Sequence, residues 1–353
     1  MNTAIEHCGL DLETQRQYRD NFARHFLSVT LYIQAEIMAA LTLKHGHSNL
    51  RLNFAPYITL AGHDGARLSD IAETLGISRQ AANQIANQIE AAGYLRRTAD
   101  RSDGRAKLLT RTPRARALVE QGASEAARLQ ARFAALTAAG DVEKTTLTLA
   151  QLNKHLALLV AREGGDLSLA AVLPRLSDHI STRLQELTMA RGHPGLKRSF
   201  GSVLMSIGPA GGRIQQIADA HDVSKQAISA IASELEELRY IARLPDPGDA
   251  RQVILVFTAA GRRLIEDSVA STAQLYSELE ALVGKRAFRQ AASTLAALYQ
   301  SLNLGEEIFG HVGDDDIGSI ARQLTRQLGD ERARALARVI LAADPDEPAR
   351  VSL

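Results

Sequence analysis

The feature that most narrows what this chain can fold into is that it contains one long pattern twice. ISRQAANQIANQIEAAGYLRR, Ile77 to Arg97, returns as VSKQAISAIASELEELRYIAR, Val223 to Arg243. An offset of 146 carries Leu41 onto Leu187, His47 onto His193, Phe54 onto Phe200, Ile71 onto Ile217, Gln80 onto Gln226, Tyr94 onto Tyr240, Arg105 onto Arg251 and Leu118 onto Leu264 without a gap. That period is too long for a solenoid turn, so the repeating unit is a whole domain and the chain is a duplication. Its 353 residues leave room for each copy to bury a core. With 4% aromatic residues and no tryptophan, those cores must be built mostly from Leu, Ile, Val and Ala, which suits packed helices.

Within each copy the apolar spacing is helical. Residues 11–44 form one long amphipathic run, ended by GHSNL; the second copy ends its run with GHPGL. Short helices follow at about 50–61 and 197–207, then LSDIAETLG and RIQQIADAHD, then the repeated stretch. Ser78 and Ser224 stand where an N-cap oxygen would take up free backbone N–H groups. Behind them Ala82, Ile85, Ala86 and Ile89, and in the second copy Ile228, Ile231, Ala232 and Leu235, share one helix face. Two short strands around ADRSDGRA, and around PDPGDAR in the second copy, then make a β-hairpin. Helices at 112–138 and about 142–161, and at 258–283 and 285–302, close the units. The expected fold is mainly α with small β-wings: two winged helix-turn-helix units, residues 1–161 and 162–303, followed by a helical extension, 304–353.

The solvent face of the first repeated helix (79–92) carries Arg79, Gln80, Asn83, Gln84 and Asn87; that of the second (225–238) carries Lys225, Gln226, Ser229, Ala230 and Ser233. Amides can bond bidentately to adenine, and Arg or Lys to guanine, in a DNA major groove. The bland alternative is a helix that is polar only because it is exposed. The wings favour DNA: Asp103 and Arg105 match Asp249 and Arg251, and each acid could orient its arginine toward a phosphate or a narrow minor groove, or only stiffen the hairpin. The DNA-contacting set is therefore Ser78, Arg79, Gln80, Asn83, Gln84, Asn87, Arg101, Arg105 and Lys107 in the first copy, and Ser224, Lys225, Gln226, Ser229 and Arg251 in the second. Net charge over the whole chain is only +1, but residues 67–118 hold ten Lys or Arg against five acids, while 213–264 hold seven of each. The first copy should contribute more to phosphate binding.

This order of long helix, GHPGL-like loop, helix-turn-helix, E-x-x-G-Y or E-x-L-x-Y, acidic-basic wing and L-T-x-x-G-R-x-L resembles the MarR family of bacterial transcription regulators, over about residues 10–160 and 167–303. The resemblance implies a MarR dimer fused head to tail, a pseudo-dimer in which long dimerisation helices interlock and the two readers enter successive major grooves. It implies an imperfect palindrome as the double-stranded DNA partner, release by a small aromatic or phenolic ligand, and no enzymatic activity. The first wing departs from the family in lacking a proline, and the second reading helix is poor in side chains for base contacts. That poverty supports the rival reading, a ligand- or protein-binding module of the same fold that has lost specific readout.

Other residues carry weaker suggestions. Cys8, the lone cysteine, excludes an internal disulfide and fits a reducing compartment; an oxidant-sensing role is the minor reading. His45 and His47, with His7 or His63, suggest a metal site, but the match of His47 to His193 favours a structural loop histidine. GPAGGR lacks the Lys-Ser/Thr of a phosphate loop and aligns with GHDGAR, so it reads as a turn. Asp314 to Asp316 complement a helix start rather than bind metal. The tail beyond Leu304 reads as two amphipathic helices that could cover the fused dimer or pair two chains. No apolar run approaches the roughly 20 residues of a membrane span and no signal peptide is evident, so the expected location is the cytoplasm. No metal or cofactor is expected.

Overall fold

A computed structural model describes residues 10–100, 106–158, 167–208, 211–221, 223–246 and 249–305, with residues 249–251 as backbone only. The extension beyond residue 305, Cys8 and His7, and the tip of the first wing lie outside the described residues.

The first unit runs α1 (Leu12–Arg19), α2 (Phe22–Ala39) with a π-helical turn Ala40–Lys44, α3 (Ala55–Ala61), β1 (Ala66–Arg67), α4 (Leu68–Leu75), α5 (Arg79–Ala91), β2 (Leu95–Ala99), β3 (Lys107–Arg111), α6 (Pro113–Leu136) and α7 (Asp141–His155). The second repeats the series from α2 onward: α8 (Leu169–Ala190), α9 (Phe200–Ser206), β4 (Gly212–Arg213), α10 (Ile214–Ala220), α11 (Lys225–Glu237), β5 (Ile241–Asp246), β6 (Asp249–Phe257), α12 (Ala259–Val283) and α13 (Lys285–Ser301). Matching threonines start the long helices. Thr112 accepts from the Ala115 N–H at 3.2 Å and Thr258 from the Gly261 N–H at 3.1 Å.

Three features differ from the sequence reading. The run at 11–44 is broken: Asp20 turns extended, with φ −126° and ψ 96°, and Asn21 caps a new helix by accepting from the Arg24 N–H at 3.1 Å. Helix α7 ends at His155, short of residue 161. Each wing is a three-stranded sheet, in the orders β1-β3-β2 and β4-β6-β5, because a dipeptide pairs with the hairpin. Gly65 and Gly211 allow this at φ +85° and +88°, and a Cβ at Gly65 would lie 2.7 Å from Thr110 Cγ2.

The join between the units is a hydrophobic core drawn from both. Phe22, Phe26, Val29 and Ile33 of α2 pack with Leu129 and Phe133 of α6 and Leu149 and Leu152 of α7; from the second unit come Leu173, Leu176 and Ile180 of α8, Leu275 of α12, and Phe288 and Leu295 of α13. At the crossing of α2 and α8, the Thr30 and Ser177 hydroxyls meet at 2.6 Å. Each winged unit keeps a core of its own. The first unit also sends an arm onto the second: Leu10 and Tyr18 pack on the second winged core, and Arg19 donates to the Ile207 carbonyl at 2.8 Å. Sequence reasoning found no membrane-length apolar run, yet Leu12–Lys44 contains an 18-residue window of mean hydropathy 1.6, enough for a span by length and composition alone. In this fold that hydropathy serves the shared core, where Phe26 and Val29 are fully buried.

At the end of the π-helical turn the repeat breaks chemically. Glu125 on α6 is buried and accepts from Lys44 at 2.7 Å, Arg128 at 2.7 Å and His45 at 3.0 Å. Its counterpart is Ser271, which accepts from Arg191 at 3.2 Å. Hydrogen bonds from Lys44, then Arg128 and His45, outweigh burial and hold the Glu125 carboxyl at about 2. A depressed folded-state value means that the stabilisation is present above the ordinary 4.5 and is lost as pH falls toward about 2. In urea titrations, the advantage of the wild type over Glu125→Gln should therefore shrink across that window; an advantage independent of pH there would show that the carboxylate charge contributes nothing.

Candidate nucleic-acid interface

Helices α5 and α11 are set by the same two devices. The Ser78 hydroxyl oxygen accepts from the Ala81 N–H at 3.1 Å, and that of Ser224 from the Ala227 N–H at 3.2 Å. Ala82, Ala86 and Ile89 bury one face of α5, and Ile228, Ala232 and Leu235 one face of α11, with Ile85 and Ile231 half-buried at the margin. Arg79, Gln80, Asn83, Gln84 and Asn87 are exposed; in the second unit Lys225, Gln226 and Ala230 are exposed while Ser229 and Ser233 are half-buried. Among the described residues, Arg79, Gln80, Gln84, Lys225 and Gln226 carry no side-chain hydrogen bond and face solvent with their full donor and acceptor sets.

The two asparagines are engaged. Arg97 reaches back from β2 and one guanidinium nitrogen donates to Asn83 Oδ1 at 2.9 Å and to Asn87 Oδ1 at 3.0 Å. The same guanidinium pairs with Glu90, whose other oxygen accepts from the Arg97 backbone N–H at 3.0 Å. In the second unit Arg243 pairs with Glu236 at 3.0 Å and donates to the Ser229 carbonyl at 3.2 Å and to Ser233 Oγ at 3.1 Å. Ser233 in turn donates to the Ser229 carbonyl at 3.0 Å, so its hydroxyl is used within the protein. Sequence reasoning missed both forks. Their only trace in the sequence is the repetition of Glu90 with Arg97 as Glu236 with Arg243.

Lys107 is exposed at the start of β3, paired across the hairpin with Ala99. Arg101, Asp103 and Arg105 lie outside the described residues, as do the side chains of Asp249 and Arg251, so the expected wing bridges fall there too. The wing bases have another ion pair. Arg67 on β1 donates to buried Asp100 at 2.9 and 2.6 Å, and Arg213 on β4 to buried Asp246 at 2.6 Å. Each pair ties the two-residue strand to the end of the hairpin strand that leads into the wing tip.

The loop histidines are structural. His47 meets Gln121 at 2.7 Å and His193 meets Asp267 at 2.8 Å, each beside the ring of its unit's tyrosine, Tyr94 or Tyr240. His45 is held by Glu125. Among the described residues no three His, Cys, Asp or Glu side chains gather as a metal site. In the glycine-rich turn, Gly208 and Gly211 exchange backbone hydrogen bonds at 3.2 and 3.0 Å. Next to His193 a cavity of about 390 Å³ opens between Arg191, Pro194, Leu238, Tyr240, Ala260 and Arg263. In the first unit that place is filled by Arg114, the counterpart of Ala260. Its guanidinium lies 4.5 Å over the Tyr94 ring and donates to the Ala92 and Ser48 carbonyls, both at 3.0 Å.

Fold and interface together define a pair of winged helix-turn-helix units locked through one helical core, each presenting a capped polar helix beside a wing. The MarR family model matches residues 58–106 and 195–252, one stretch in each unit, so both halves of the chain are similar to that family. Among solved structures it is similar to the YusO protein from Bacillus subtilis, with 22% identity and a TM-score of 0.30 over 35% of this chain and 89% of that one. It is also similar to the transcriptional regulator Tm0710 from Thermotoga maritima, with 19% identity and a TM-score of 0.29 over 38% of this chain and 92% of that one. No curated protein matches it.

Proposed function

We propose that this protein is a sequence-specific, double-stranded-DNA-binding transcription regulator that acts in the cytoplasm as a repressor and has no enzymatic activity. Helices α5 and α11 enter successive major grooves of one duplex, with the wings on the backbone or minor groove. The functional division is residues 1–161 and 162–303 as two readers, with 304–353 as an accessory extension. A single observation carries the proposal: two serine-capped helices, each seated on the core of its own winged unit and the units joined through one shared core, expose untied Arg79 and Gln80 on one unit and Lys225 and Gln226 on the other. These residue types match the hydrogen-bonding edges of the major groove. The site is an imperfect palindrome because the remaining readers differ between the units. Release by a small aromatic or phenolic ligand belongs to the same proposal, and the cavity beside Tyr240 supplies open space that the first unit fills with Arg114.

The rival, a binding module without specific readout, draws on the second unit, where Ser233 is consumed internally and positive charge is balanced. Salt separates the two. A regulator making several phosphate contacts should lose about 10³-fold in affinity for its site between about 50 and about 200 mM salt, and stay well above its affinity for random duplex throughout. Equal, weak affinity for every duplex would favour the rival.

A further inference from the structure

We infer that Arg97 is a positioning residue that sets which bases the first unit reads, by fixing the orientation of the Asn83 and Asn87 amides. The inference rests on the DNA-binding reading proposed above. An asparagine amide is nearly symmetric in shape and chooses which end faces out according to its partners. At Asn83 and Asn87 the choice is made from behind: one guanidinium nitrogen donates one hydrogen to each Oδ1, at 2.9 and 3.0 Å. The two residues stand one helical turn apart, so a single nitrogen bridges them as a fork. Arg97 cannot swing away freely, because Glu90 holds both its guanidinium and its backbone N–H.

The consequence is chemical. With each Oδ1 drawn toward Arg97, the Nδ2 hydrogens turn to the groove and both asparagines present donors. Donors match the O6 and N7 of guanine and the O4 of thymine. The bidentate adenine contact, which needs an oxygen to take the N6 hydrogen, is disfavoured. The sequence alone suggested adenine for these amides; the fork reverses that preference. In the second unit Arg243 makes the same ion pair, with Glu236, but its free arm ends on a backbone carbonyl and a serine hydroxyl, so no base-reading amide is oriented there.

The test is selection from a random duplex pool by the full chain and by Arg97→Met, Arg97→Lys and Arg243→Met, with thermal unfolding run on each. The wild type should prefer guanine or thymine over adenine by about tenfold where Asn83 and Asn87 face the groove. Arg97→Met should erase that preference and leave the α11 half-site as it was. Arg97→Lys keeps a cation for Glu90 but offers one nitrogen where the guanidinium gives Glu90 and the asparagines a nitrogen each, and should erase it as well. Arg243→Met should leave base preferences unchanged in both halves. A folded Arg97→Met or Arg97→Lys protein that retains the wild-type preference overturns the inference alone. A wild type that selects no sequence overturns the DNA reading and the inference together.

Discussion

Replacing Phe288 by alanine should cost about 3–5 kcal/mol of folding free energy and should destabilise both winged units rather than the second alone. Phe288 is fully buried on α13 and meets Phe22, from the first unit, edge-on at 5.9 Å, and Tyr276, from its own unit, at 4.8 Å. Its loss leaves a cavity in the core that both units build, so the cost cannot stay local. In urea, circular dichroism and tyrosine fluorescence should report one transition shifted to lower denaturant with little change in slope. Two separate transitions, with the first unit unmoved, would mean that the units are merely tethered. The shared core also makes assembly intramolecular, so the midpoint should not depend on protein concentration.

The double variant Arg79→Ala/Lys225→Ala should weaken binding to the preferred duplex by at least about 30-fold, at about 1–3 kcal/mol for each lost base contact. Both residues occupy the first position of a serine-capped helix, are exposed, and keep their charge free of any protein partner among the described residues. Because neither takes part in packing, the thermal midpoint should hardly move. Binding to random duplex should fall far less than binding to the preferred site. An equal loss on both would mark these cations as phosphate contacts alone, and no loss on either would remove α5 and α11 from the interface.

Much of this architecture was legible because duplication lets each copy check the other. The serine caps, the buried faces of α5 and α11 and the hairpins each rest on local spacing that appears twice. The features that escaped depend on tertiary contact. The break at Asp20 and Asn21 lies inside a run whose apolar periodicity continues across it, and α1 leaves that run only because Leu10 and Tyr18 find a place in the other unit's core. Strands β1 and β4 are two residues long and carry no alternation of their own. Arg67 and Asp100 stand 33 residues apart, and Arg97 reaches 14 residues back to Asn83. The apolar content of α2 is higher than a single unit needs because its buried face is shared with a second unit.

The central claim is that one chain carries two linked but unequal DNA readers. Selection of bound duplexes from a random pool at physiological salt, using the full chain, tests it most directly. The expected result is enrichment of a two-part site with half-sites about one helical turn apart, more sharply defined in the half read by α5 than in the half read by α11. A perfectly symmetric site would contradict the divergence of the readers, and no enrichment would contradict the claim of specific readout.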